Sequence, residues 1–200
     1  MSTVEGTCIE RQAGIPRFSG EIVRNLTDRG FKIYELTGQS WDSFPKNYSH
    51  VLINPSSLQA GLYLPKHSRR TEVAINTNMD FFFLPESCNK TFDEHMAMIQ
   101  VLDKKISLMF PGTRVVMGSY LDYMEIVFQH ENRDHTFATG WDMFSDAYDL
   151  KLTRAIGKGA GKSVAVGAYN SFGLTISDVG DDFKSEKLFV VPLIIPSNGK

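Results

Sequence analysis

The clearest periodicity in the chain lies between residues 92 and 110. His95, Ile99, Leu102, Ile106 and Met109 recur at i, i+4, i+7, i+11 and i+14, one continuous helical face. Thr91 precedes the run and Glu94 follows three residues later, the reciprocal capping pattern that opens a helix. Pro111-Gly112 closes it. Upstream, residues 1–20 are polar and punctuated by Gly14, Pro16 and Gly20, which predicts an extended or partly disordered arm. Glu21–Arg29 reads as a short helix stopped by Gly30, and Phe31–Leu36 alternates as a strand. Residues 37–47 read as a loop or single helical turn around Trp41. Tyr48–Ile53, Gly61–Pro65 and Thr71–Leu84 are strand-like, broken by Asn54-Pro55 and by the basic turn Lys66-His67-Ser68-Arg69-Arg70.

Beyond the long helix the pattern turns mostly to period two. Thr113–Met117 reads as a strand. Asp122–His130 and His135–Trp141 then form a hairpin in which Phe128 meets Phe137 and Met124 meets Trp141 across the strands. Asp142–Ile156 reads as a helix, with Asp142, Asp146 and Asp149 toward its start and Lys151 and Arg154 toward its end, as the helix dipole favours. Three strands complete the chain: Ser163–Tyr169, Phe172–Ser177 and Lys187–Ile195. Pro192 marks the last as an edge or bulged strand. The sum is an α+β fold, a mostly antiparallel sheet of about eight or nine strands with two or three helices. Residues 21–200 are expected to form one domain.

Charge narrows the function more than size does. Residues 1–100 carry 10 basic and 11 acidic side chains, and residues 101–200 carry 11 and 12, so neither half has the basic excess of a dedicated duplex-DNA binder. Cys8 and Cys88 are far apart with no CxxC pair, which reads as two thiols in the cytoplasm or another reducing intracellular compartment. The first eight residues lack an apolar core, so no secretory leader is expected. Leu188–Pro196, the longest uncharged apolar stretch, is too short to span a bilayer, and no membrane partner is expected.

Four clusters could carry chemistry. Gly157-Lys158-Gly159-Ala160-Gly161-Lys162-Ser163 resembles a phosphate loop, but its first glycine stands one place too late and a strand follows it where a helix is required. What remains is an anion-binding candidate, Lys158 and Lys162, with Arg69 and Arg70 as a second basic pair. His130 and His135 would be cross-strand neighbours in the expected hairpin and, with Asp142 or Asp122, could ligate a divalent metal. The Asp142, Asp146 and Asp149 trio is most simply a helix N-terminus. His95, on the apolar stripe, reads as a core-margin histidine. No catalytic residue and no cofactor are assigned.

The 23 aromatic residues exceed what one α+β core needs, and Trp41, Phe81, Phe83, Phe183 and Phe189 fall on expected loops or edges. The leading expectation is therefore a non-catalytic binding or adaptor protein whose partner is another protein. The alternatives are a metal-dependent hydrolase or nuclease built on His130 and His135, and a nucleic-acid or phosphate binder built on the 157–163 loop.

Overall fold

The computed structural model describes residues 14–43, 53–57, 65–134, 151–157, 162–170 and 173–197. In chain order its elements are α1 (Gly20–Thr27), β1 (Phe31–Thr37), a 3₁₀ turn (Trp41–Ser43), β2 (Ile53–Ser57), β3 (Arg70–Asn76) and the single-turn α2 (Met79–Phe82). There follow α3 (Phe92–Met109), β4 (Thr113–Met117), α4 (Tyr120–Asp134), β5 (Leu152–Ala155), β6 (Lys162–Asn170), β7 (Gly173–Gly180), β8 (Leu188–Phe189) and β9 (Pro192–Pro196). The α+β class and the mostly antiparallel pairing expected from the sequence are both present. A four-stranded sheet runs β1-β3-β9-β4, and a five-stranded sheet runs β2-β7-β6-β5-β8. Among the described strands, β2 with β7 and β5 with β8 pair in parallel and the remaining pairs are antiparallel.

Side-chain alternation along the first sheet sorts the interior into two cores. Tyr34, Leu36, Val73, Ile75 and Leu193 point to one face, where α4 lies between this sheet and Val164, Val166 and Ile176 of the second. Ala74, Val115, Met117 and Ile194 point to the other, against α1 and α3. The layers are thus helices, sheet, helix, sheet. Sandwiched between two sheets, α4 is buried all round: Tyr120 through Phe128 is buried without a break.

That burial corrects the hairpin expected at Asp122–His130. A helix with no solvent face loses its 3.6-residue signature, so Met124, Ile126 and Phe128 mimic a strand. Ser119 and Asp122 cap it reciprocally: the Ser119 Oγ accepts from the Asp122 N–H at 3.2 Å, and the Asp122 carboxylate accepts from the Ser119 N–H at 2.8 Å. The helix expected over Asp142–Ile156 is also corrected where described, because Leu152–Ala155 is the interior strand β5, paired with β6 and β8. Residues 135–150 lie outside the described residues, and with them His135, the Phe128–Phe137 pairing and the three aspartates.

Of the other elements, α1, β1, the long helix, β4, β6 and β7 match with ends shifted by a few residues at most. Residues 48–52 and 61–64, expected as strand, lie outside the described residues. The long helix runs Phe92–Met109 with the Thr91–Glu94 capping box formed, and Gly30 adopts φ +82° after α1. Met109, expected on the buried stripe, is 56% exposed. Strand β3 stops at Asn76, and Phe81-Phe82 belongs to α2. Asn54-Pro55 sits inside β2, at a sheet edge where a missing N–H is tolerated. Pro192 is neither edge nor bulge: it opens the interior strand β9, where the chain leaves β8 for the other sheet. Of the expected arm, residues 14–20 are described, and 16–18 are pinned: Pro16 O accepts from the Glu72 N–H, and Phe18 is buried with its N–H donating to the Glu72 carboxylate. No described helix is long and apolar enough to cross a membrane.

Gly118 joins β4 to α4 in space that no side chain can share. An added Cβ would stand 2.8 Å from the Tyr123 ring and 2.7 Å from Leu193. That ring cannot yield, because the Tyr123 hydroxyl donates to Val191 O at 2.6 Å and accepts from Gly118 N–H at 3.0 Å. Gly118→Ala should therefore cost about 1–3 kcal/mol in urea unfolding. Gly20→Ala, where a Cβ meets nothing within 4 Å, should be neutral or stabilising. Equal effects at both glycines would contradict this packing.

Candidate interaction surface

The charged groups in the interior fasten the fold. Glu125, fully buried on α4, accepts from the Thr37 N–H at 2.8 Å, the Thr37 hydroxyl at 2.7 Å and the Ser68 hydroxyl. Asp122, one turn earlier and equally buried, accepts from the Arg69 N–H at 2.7 Å and faces the Arg69 guanidinium at 3.5 Å. Together they hold the end of β1 and the approach to β3 against α4. Neither presents a free lone pair toward a cleft.

A second polar cluster binds the 181–185 loop to the start of α3. Arg154 is wholly buried on β5. Its guanidinium donates to the carbonyls of Gly180 at 3.0 Å, Lys90 at 3.5 Å and Phe183, and to the Ser163 hydroxyl. Burial lowers its pKa, against the pull of Asp181 and Asp182. His95 is buried close by, with Nε2 donating to Ser87 O at 2.6 Å and Nδ1 lacking a hydrogen-bond partner. Burial pushes its pKa below the usual imidazole range. On the rim, the Thr91 backbone N–H first and then Lys184 hold the Glu94 carboxyl at a pKa of about 2.

The two metal candidates that are described, His130 and Asp122, are each engaged by other partners. His130 is buried on α4 and shares a 2.7 Å hydrogen bond with the Tyr34 hydroxyl. Asp122 is committed to Arg69, while His135 and Asp142 lie outside the described residues. Among the described residues no three His, Cys, Asp or Glu side chains could hold a metal ion. The anion candidates divide too. Arg69 turns inward to Asp122 and to Met117 O at 3.0 Å, whereas Arg70 is exposed at the start of β3. Lys158 lies outside the described residues. Lys162 opens β6, and the glycine-rich segment before it joins the antiparallel strands β5 and β6 instead of following a helix.

The aromatic candidates separate by burial. Phe83 is a core residue, and half-buried Phe189 packs on it with ring centroids 5.0 Å apart. Half-buried Trp41 lies 6.0 Å from Tyr120, beside an open polar cleft of about 420 Å³. Phe81 and Phe183 remain 58% and 48% exposed. Phe81 stands at an apolar hollow of about 160 Å³ formed with Phe31, Phe82, Leu84, Leu102 and Ile106. A second hollow, of about 460 Å³, adjoins it through Leu84 and Leu102 and is lined further by Glu86, Ala97, Met98, Val101 and Lys105. The two make a groove along α3. The exposed side chains of Val101, Leu108 and Met109 extend its apolar character over the helix. Sequence reasoning found Phe81 and the helix but missed the outer apolar face of α3, because Val101 and Leu108 sit off the stripe that packs inward. Their apolarity on the opposite face was the available signal.

Two measurements test the structural role of the buried groups. Glu125→Gln places an amide N–H₂ against existing donors and should cost about 2 kcal/mol, a fall of roughly 4–8 °C in melting temperature. An unchanged melting temperature would mean that Glu125 is not a fastener. His95 in the folded chain binds a proton less readily than in the unfolded chain. Its neutral form therefore supports full stability above pH about 6.5, and stability erodes as pH falls below that value. The melting temperature of the native protein should fall from pH 7 to pH 5, and that of His95→Gln should fall less. Below pH about 4.5 both should lose the Glu94 contribution as its carboxyl protonates. Parallel curves between pH 7 and 5 would contradict the His95 assignment.

No protein-family model, curated protein or solved structure matches this chain, so its function is argued from its own residues alone.

Proposed function

We propose that this is a non-catalytic binding protein that engages another protein through the groove along α3. The carrying observation is the continuous apolar surface from Phe81 through Leu84 and Leu102 to Val101, with two of these side chains more than half exposed. Apolar hollows flanked by an exposed aromatic are where a partner's anchoring side chains gain most on leaving water. The interior acids and cations already serve as fasteners, which supports binding over catalysis.

Replacing Phe81 with a photo-crosslinking phenylalanine in the full chain should trap a partner polypeptide. Unlabelled native protein should compete for it, and the same probe at Trp41 should not trap it. Phe81→Ala should weaken that partner's binding about 10-fold or more while leaving the melting temperature within a few degrees. Capture that is indifferent to Phe81 and Val101 substitutions would overturn the reading.

A further inference from the structure

The outer face of α3 carries an ordered charge pattern as well as apolar side chains. Its first turn exposes Asp93 beside Glu94, its later turns expose Lys104 and Lys105, and Ala97 and Val101 lie exposed between them. The side chains of Asp93, Lys104 and Lys105 make no hydrogen bond or ion pair with the other described residues. Acids at one end and bases at the other make the face complementary to itself in the antiparallel direction only. A parallel copy would set acid against acid and base against base.

We infer that the partner at this face is a second copy of the same chain, packed so that α3 lies antiparallel to its twin about a two-fold axis. Resting on the protein-binding reading above, this adds the identity of the partner. With the axis near residue 99, Ala97 of each copy meets Val101 of the other. Asp93 then stands opposite Lys105 at both ends of the contact. Such an isologous pairing closes on itself and leaves no open edge. Leu108, 84% exposed, falls at the height of the turn that precedes the partner's helix and extends the apolar contact beyond Ala97 and Val101. It is the most exposed large apolar side chain described, so it gains most on leaving water. Helix α3 is about 27 Å long, so the contact falls at the small end of specific interfaces and should dissociate in the micromolar range, about 1 to 100 µM.

Sedimentation equilibrium of the full chain, loaded from about 1 to about 500 µM, tests this. The weight-average mass should rise from the monomer's 22.5 kDa toward twice that value. Val101→Glu should stay monomeric throughout. Asp93→Lys and Lys105→Asp, both at exposed positions, should each weaken self-association about 10-fold or more. An equimolar mixture of those two variants should recover it as a heterodimer, since each reversed charge then faces its opposite. Circular dichroism keeps loss of folding from being read as loss of pairing. A native chain that stays monomeric, or a dimer unaffected by both charge reversals, would overturn the proposal. If in addition the Phe81 probe traps a different polypeptide, the protein-binding reading survives and only the self-pairing fails.

Discussion

The structure depends on one demand: an acid-bearing helix is enclosed between two sheets, and its carboxylates must find donors there. A buried carboxylate without donors is too costly to keep, so Asp122 and Glu125 fix where their partners go. Glu125 draws in Thr37 at the end of β1 and Ser68 before β3, and Asp122 takes the Arg69 backbone and guanidinium. The first sheet is thereby set against α4 at one end. Tyr123 sets it at the other, through Gly118 and Val191. The second sheet closes over the opposite side of the same helix.

Seen from that constraint, the polar side chains that resemble a catalytic inventory divide into anchors. Arg154 holds the 181–185 loop by its carbonyls, and His95 and Ser87 hold the loop before α3, with the Ser87 hydroxyl also accepting from Val190 N–H. These contacts stiffen the frame of the groove and leave its lining apolar. Among the described residues, the outer side of α3 and the Phe81–Glu86 segment beside it carry the exposed apolar side chains Val101, Leu108 and Phe81 on which the proposed binding rests.

The legible parts of the fold were those in which local chemistry and burial agree. Thr91 and Glu94 announce α3, Gly30 ends α1, and the Phe31–Leu36 alternation matches a sheet with a different core on each face. Legibility failed where burial was complete or where charges acted at a distance. Helix α4 is buried all round from Tyr120 to Phe128, so its period vanished, although Ser119-Tyr120-Leu121-Asp122 carried a capping signature in plain view. Lys151 and Arg154 suggested a helix end. In fact Lys151 lies over the Phe83 and Phe189 rings, and Arg154 is buried in a strand that sequence-local dipole reasoning has no means to locate. Of the surface, Phe81 was legible as an aromatic beyond the core's needs. The matching role of Val101 and Leu108 required the helix to be oriented first.

The central claim is that the buried polar groups serve the fold and that the outer face of α3 meets the partner. Methyl-resolved NMR spectra of the full chain over a dilution series address both halves in one measurement. The account predicts concentration-dependent shifts at Met98, Val101, Leu108 and Met109, with Val164, Val166 and Ile176 constant. Shifts confined to residues around Trp41 and His67, or none at any concentration, would contradict it.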